Sequence, residues 1–467
     1  MNEPDQPRPE KSACIDETPV LSIAGAGISG LAAAWYATRA GLSCRVLESD
    51  NRAGGNALTI TGPEGFRYDS GAHRYHDRDQ EVTADLKQLM GDLLLRVEAP
   101  SQIFFAGRFI DFPLSPLNLV TSLGFTSCLR GTRDLLFSRL AYDGKPFTSF
   151  ADFALTTYGR TIAERFLLNY SEKLWGRPCE DLSPAISGKR LEGLNVRTFL
   201  LEALRGKRAK TKHLDGTFYY PKGGIGGIAD RMTRSVDPEI FQWRCPVTEI
   251  NHDDSQITSM VAGDKVWPVN ELLITFSLPR LVTLLNPAPP LEILELAAGL
   301  RTRHVVLVAL FLNGAPLTTN ASLYFPERRF IFTRVYEPLN RCRTMAPSGS
   351  TSLVAEIPCE SNQQENGFWE MDDEPLIRKV IAQMSETGLF DSARVMGAEV
   401  YRMRDAYPVL EKGYEQRVGA ISFWLKRFTN LHISGRNGTF AYIHIHDLMA
   451  QARQLAGRLS GSCSLGI

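Results

Sequence analysis

The stretch Pro19–Asn56 constrains this chain more than any other. A short apolar run, Val20 to Ala24, meets Gly25-Ala26-Gly27-Ile28-Ser29-Gly30 and continues into a segment of helical character rich in alanine and leucine. A second apolar run, Cys44 to Leu47, follows and closes on Glu48. Strand, glycine turn, helix and strand in this order make the βαβ unit that binds a dinucleotide. Gly25 permits the tight turn, Gly27 lets the backbone approach a pyrophosphate, and Gly30 lets helix and strand pack closely. The helix N-terminus then offers unpaired N–H groups and the positive end of its dipole to the phosphates. Glu48 is placed to accept hydrogen bonds from a ribose diol, and a carboxylate there disfavours the 2′-phosphate of NADP. A glycine-rich turn in an ordinary α/β protein would require neither the second strand nor the acid.

Arg52-Ala53-Gly54-Gly55-Asn56 adds a second turn free of side chains just past that acid. An NAD-dependent enzyme has no need of it. An extended FAD, running on past the first turn, requires a second close backbone approach, so FAD is the expected cofactor.

With 467 residues, 43% of them apolar, the chain can bury a large core in two or three domains. Fifty-two basic and 52 acidic residues cancel, which removes the usual electrostatic reason to expect nucleic acid or an anionic membrane as partner. A local cluster, Arg205 to Lys210, reads as a solvated loop. The eight cysteines are scattered without a CxxC pair, as reduced thiols in a cytoplasmic protein would be, and give neither a disulfide framework nor a zinc site. The acidic, proline-rich start has no apolar core of a signal peptide and reads as a disordered tail over 1–18. The longest apolar run, Val305 to Leu312, is too short to span a bilayer, so no integral membrane segment is expected.

Further along, Ala57 to Tyr68 reads as a hairpin around Gly62-Pro63-Glu64-Gly65 and delivers Gly71-Ala72-His73-Arg74-Tyr75-His76. His73 and His76 lack a carboxylate or cysteine at ligand spacing, so no metal site is expected. Ile103 to Phe112 is a second hairpin. A helical region then runs to about Leu204, with Leu136, Leu140, Phe166 and Leu167 at helical spacing and packing expected for them. The Leu114–Leu136 stretch is apolar enough to touch a membrane surface as the alternative. Tyr170, Lys173 and Trp175 could line a pocket or seal two domains. Tyr219 to Gly227 is a third glycine-rich turn leading into a helix at Ile228–Arg234. Strands are expected at Val247–Ile250, Glu271–Phe276, Val305–Leu312, Phe330–Tyr336, Ser352–Ile357 and Arg394–Tyr401, and helices at Pro375–Gly388 and His446–Ser460. Leu431 to Gly438 meets Gly435-Arg436 just before that last helix, repeating the opening logic.

The opening GxGxxG with Glu48, the Gly54-Gly55 turn, Tyr220-Pro221-Lys222-Gly223-Gly224 and Gly435-Arg436 resemble the flavin amine oxidase superfamily, which includes protoporphyrinogen oxidase. The likeness covers nearly the whole chain after the tail. Gly54-Gly55-Asn56-Ala57, Gly71-Ala72-His73 with His76, Tyr170 with Glu172-Lys173-Leu174-Trp175-Gly176, and Tyr407-Pro408-Val409 resemble UDP-galactopyranose mutase. The mutases carry a tyrosine-rich run after Gly-Arg, including a phosphate-binding tyrosine, where this chain reads Phe440-Ala441-Tyr442-Ile443-His444-Ile445-His446-Asp447. The resemblance implies an α/β fold with a discontinuous Rossmann-type FAD-binding domain over 19–76, 218–280 and 395–467. It also implies a helical region over 77–217 and a smaller β-sheet substrate domain over 281–394. It implies cofactor contacts at Gly25, Gly27, Ile28, Ser29, Gly30, Glu48, Ser49, Gly54, Gly55, Asn56, Gly71, Ala72, His73, Val247, Gly435, Arg436 and Tyr442. His73, Trp175, Arg334 and Tyr407 are the candidate pocket residues, with Arg436 beside the flavin.

Two functions follow for a small-molecule substrate. The first is an FAD-dependent oxidoreductase, in which an amine or ring C–H gives hydride to flavin N5. The alternative is a non-redox mutase acting on a sugar nucleotide through flavin N5, with Arg334, Arg404 and Tyr407 holding the pyrophosphate. A flavin-binding protein without turnover is a third class.

Overall fold

A computed structural model describes residues 18–112, 124–142, 144–190, 217–360 and 367–463. All but Thr18 of the expected tail, the Arg205–Lys210 cluster, Leu114 to Leu123 and the end of the helical region at 191–204 lie outside these residues.

The opening unit folds as the glycine pattern requires: β1 (Leu21–Ala24), α1 (Ile28–Arg39) and β2 (Cys44–Leu47). These strands are the centre of a parallel five-stranded sheet, completed by Phe241–Gln242 beside β2, and by Glu271–Ile274 then Leu431–Ile433 beside β1. Strands from three distant stretches of chain therefore share one sheet. Ten of the twelve positions of α1 are buried, and its alanines let it lie close between the sheet and the terminal helix Ile445–Cys463. Gly30 is obligatory there, because a Cβ would fall 1.9 Å from the Gly25 carbonyl oxygen. The other face of the sheet, Ala24, Leu47, Leu272 and Ile274, packs on Val247, Ile250, Ile257 and Met260 of a four-stranded sheet.

The second large sheet has seven strands, in the order Val395–Pro408, Thr302–Asn313, Ser350–Cys359, Arg334–Tyr336, Ser322–Tyr324, Ser101–Phe105 and Arg108–Phe112. It therefore reaches beyond the expected span 281–394, taking a hairpin from the region read as helical and a strand from the stretch assigned to the cofactor domain. Val305–Leu312 within Thr302–Asn313 is apolar throughout because both faces of the strand are covered. Val305, Leu307, Ala309 and Phe311 pack on Phe66, Tyr68 and Tyr336. Val306, Val308, Leu310 and Leu312 pack on Phe330, Phe332 and the helix Asp373–Ser385.

Two local expectations change. The strand read at Phe330–Tyr336 is confined to Arg334–Tyr336. Leu136 and Leu140, expected to pack, are exposed on the helix Phe125–Ala141. Five buried cysteines, Cys44, Cys179, Cys245, Cys342 and Cys359, are free thiols. Among the described residues no helix is long and apolar enough to cross a membrane.

Candidate functional site

The two glycine turns meet backbone to backbone. Gly27 and Gly54 form a parallel bridge, and the Gly54 amide donates to the Ala26 carbonyl at 2.9 Å. A Cβ on Gly55, whose φ is +54°, would stand 3.1 Å from the Gly27 Cα. A Cβ on Gly25, at φ +108°, would strike Thr275 Oγ1 at 2.3 Å. The N-cap of α1 is Gly27, which has no side chain to satisfy the first-turn amides, so these face the cradle uncapped. Glu48 is buried at the end of β2, and its carboxylate accepts from the Ala26 amide at 2.5 Å, Ser49 Oγ at 3.0 Å and the Asp50 amide at 2.9 Å. Val247 is buried in the same apolar cluster as Leu47, two residues past Cys245, whose amide donates to the Glu48 carbonyl at 2.8 Å. Ser49, Gly55 and Asn56 open onto a cleft of about 980 Å³ also lined by Trp369, Tyr401 and Arg404.

The Gly435-Arg436 turn lies beside this unit. Ser29 Oγ donates to Ser434 Oγ at 2.7 Å, across 405 residues of sequence. Gly435 has φ +92°, and a Cβ there would fall 2.7 Å from the Thr275 carbonyl oxygen. Asn56 and Asn437 both donate to the Asp405 carbonyl, which fastens the second glycine turn and the C-terminal turn to one point of the strand Val395–Pro408.

At the other end of the site the candidate pocket residues come together. The Trp175, Tyr407 and Tyr442 rings lie 6.1 Å apart in each pairing, and the Tyr407 and Tyr442 planes are only 23° apart. The Arg436 guanidinium stands 5.4 Å from the Tyr407 ring and 5.3 Å from that of Tyr442. Tyr442 thus keeps one phenol of the tyrosine-rich run in place. Arg334 forms a two-point ion pair with Glu356, Nε to Oε2 at 2.8 Å and Nη2 to Oε1 at 2.9 Å. The same carboxylate accepts from the Ala72 amide at 2.6 Å. His73 Nε2 lies close to Gly71, as does Glu356 Oε1, and it is buried without a protein hydrogen-bond partner. Burial, then the charges of Arg436, Arg334 and Arg341, lower the His73 pKa to about 3, so its imidazole is neutral near pH 7. Burial and the Glu356 carboxylate raise the Tyr407 phenol above its ordinary value.

The support beneath these groups was not visible in the sequence. Tyr220 of the Tyr-Pro-Lys-Gly-Gly turn donates to buried Asp69 at 2.5 Å, and Thr59 and the Ile225 amide donate to the same carboxylate. That third glycine turn therefore braces the hairpin of Thr59–Thr61 with Arg67–Asp69. Arg341 donates to the His73 carbonyl at 2.9 Å and holds the loop from below. Lys173, read as a pocket or seal residue, points into the protein, where its ammonium donates to the carbonyls of Phe325, Glu327 and Phe332. Among the described residues no three His, Cys, Asp or Glu side chains converge as metal ligands.

The profile of the flavin-containing amine oxidoreductases matches residues 28–394. The chain belongs to that family. It is a flavoenzyme, and its cofactor is FAD. The side-chain-free double cradle and the uncapped helix N-terminus fit that group, and buried His73 Nε2 and Asn437 Oδ1 are polar atoms left for a partner. In fold, the chain is similar to reduced UDP-galactopyranose mutase, with TM-score 0.84 at 19% identity over 95% of this chain and 94% of the other. It is also similar to cyclohexylamine oxidase from Brevibacterium oxydans IH-35A, with TM-score 0.69 at 16% identity over 96% and 100%. Over 109 residues it is 34% identical to protoporphyrinogen oxidase 2, chloroplastic/mitochondrial, of Arabidopsis thaliana. That match spans 22% of this chain and only 20% of the plant protein.

Proposed function

We propose that this flavoenzyme acts on an anionic, hydroxyl-bearing substrate of the sugar-nucleotide class, in the manner of a UDP-galactopyranose mutase. The observation that carries the reading is the burial and the field at His73. Burial first, and then Arg436, Arg334 and Arg341, lower the pKa of that imidazole even though Glu356 pairs with Arg334. A site that disfavours a proton on His73 also disfavours an ammonium substrate, which argues against the amine half of the oxidoreductase expectation. The same field favours a diphosphate, and Tyr407, Tyr442 and Arg436 offer hydroxyl and guanidinium donors beside it.

In this reading Gly25, Gly27, Ile28, Ser29, Gly30, Gly54 and Gly55 hold the pyrophosphate of FAD, and Glu48 the ribose, with Ser49 and Val247 flanking it. Asn56, Gly71, Ala72, Gly435 and Arg436 lie toward the ring system. FAD, when bound, supplies the electron sink or, once reduced, the nucleophilic nitrogen. Arg436 stabilises negative charge that develops beside it. Trp175 closes the pocket against water, and Arg334, held rigid by Glu356, orients the substrate. Neutral His73 can accept a proton at Nε2.

A second reading rests on the 109-residue likeness to protoporphyrinogen oxidase: oxidation of a cyclic precursor at a ring C–H. One experiment separates them. The protein is prereduced with dithionite and incubated anaerobically with UDP-galactopyranose or UDP-galactofuranose. Interconversion by the reduced form alone supports the mutase reading. Bleaching of the oxidised flavin band by a cyclic precursor, without interconversion, overturns it.

A further inference from the structure

The helix Phe125–Ala141 is built inside out. Toward the protein it presents buried Gly131, which abuts Thr161, and Asp134, which accepts from Thr161 Oγ1 at 2.6 Å. Gly159, its neighbour, lies so close that a Cβ there would fall 2.8 Å from the Leu135 amide nitrogen. Toward solvent it presents Leu129, Leu136, Phe137 and Leu140, exposed by 56%, 59%, 65% and 82%, with Tyr142 just beyond the helix at 41%. Positions i, i+7, i+8 and i+11 share one side of a helix, so the four form a single stripe. Half of the ten large hydrophobic side chains exposed among the described residues are these five. The remaining five, from Leu93 to Phe423, belong to five separate elements or loops.

Charge decides what covers the stripe. Arg133 projects within it, while Arg130 and Arg139 flank it on opposite sides, and all three are exposed. Only Asp134, which pairs with Arg133 at 3.5 Å, offsets them on this helix. A second copy of the chain related by a twofold axis would set these arginines against one another. An anionic lipid surface takes the apolar stripe into its acyl boundary and leaves the guanidiniums among the headgroups. The chain's zero net charge does not bear on this, because recognition of that kind is local.

We propose that the outer face of this helix docks the enzyme on the surface of a membrane rich in anionic phospholipid, as a peripheral contact that does not enter the bilayer core. The full-length holoprotein is sedimented with vesicles of phosphatidylcholine containing phosphatidylglycerol, and with vesicles of phosphatidylcholine alone. Binding to the anionic vesicles, weakened by salt and reduced roughly tenfold or more in Phe137→Glu/Leu140→Glu, is the expected result. Replacing Arg130 and Arg139 by serine should weaken binding while keeping the apolar stripe. Flavin absorbance serves as the folding control, since these side chains lie on the surface. No binding to anionic vesicles, or equal binding by wild type and the double glutamate variant, overturns the proposal. So does a dimer, seen by light scattering, that the double variant dissociates, because it makes a second copy the occupant.

Discussion

At Gly55 a single methyl group would press directly on the candidate cofactor cradle. Its φ of +54° and a would-be Cβ 3.1 Å from the Gly27 Cα set backbone against backbone, which cannot swing aside as a side chain would. Gly55→Ala is expected to cost about 1–3 kcal/mol in strain and to leave most purified protein without flavin. The ratio of flavin to protein absorbance reads this directly, and full occupancy would refute the cradle. His73 gives a pH dependence of known sign. Its pKa is about 3 in the folded protein and about 6.5 in the unfolded chain, so the unfolded chain takes up the proton first. Its contribution is intact above pH 6.5 and is lost as pH falls toward 3, at up to roughly 1.4 kcal/mol per pH unit. Urea unfolding of FAD-saturated wild type and His73→Gln across that window should show a shallower acid slope in the variant; parallel slopes would mean that His73 does not titrate there. The glycines and Glu48 were legible because the βαβ order confines them to consecutive residues. Glu356, Asp69 and Arg341 were not, because the partners that define them stand 284, 151 and 268 residues away. A lone acid or arginine in a sequence carries no mark of such a partner.

Among elements, the short helix Asn169–Trp175 is tied to the seven-stranded sheet through Lys173. Its ammonium closes off three carbonyls of the loop just before the strand that carries Arg334. Trp175, at the end of that helix, and Arg334, just past that loop, are therefore linked through one buried amine, whose pKa burial lowers to about 7. Lys173→Met keeps the stem and removes the donors, leaving three carbonyls poorly satisfied. It should cost about 3 kcal/mol or more, read as a lower denaturation midpoint with a shift in tryptophan fluorescence. A variant as stable as wild type would make the cage incidental. The same contact explains why Phe330–Tyr336 is a strand only in its last three residues. The pattern of apolar and aromatic residues suits a strand, but the Phe332 carbonyl is turned to Lys173 and the rings of Phe330 and Phe332 to the core. The Phe125–Ala141 helix fails in a complementary way. Periodicity reveals that Leu136 and Leu140 share a side, and says nothing of whether that side faces the protein or the solvent.

Across the whole molecule, the two large sheets are joined at Asp405, which sits at φ +50° in a strand of the second sheet and lends its carbonyl to Asn56 and Asn437, in the turns that follow strands of the first. Its amide donates to His304 Nδ1 on the neighbouring strand, so the kink is held from both sides. The candidate cofactor site lies along this seam, with pieces of chain from the N-terminus, the middle and the C-terminus converging on it. A ligand bound there opposes separation of the sheets as well as unfolding of either one. Thermal unfolding should therefore be one transition with or without FAD. Free FAD at a hundredfold excess over its dissociation constant should raise stability by about 2.7 kcal/mol, moving that single transition upward by a few degrees. Two transitions in scanning calorimetry, with FAD shifting only the one assigned to the parallel sheet, would mean that the Asp405 junction does not couple the halves. Asp405→Gly tests the junction further: a glycine accepts φ +50° freely and keeps the carbonyl, so the single transition should survive, whereas replacing Asn56 and Asn437 together by alanine should split it.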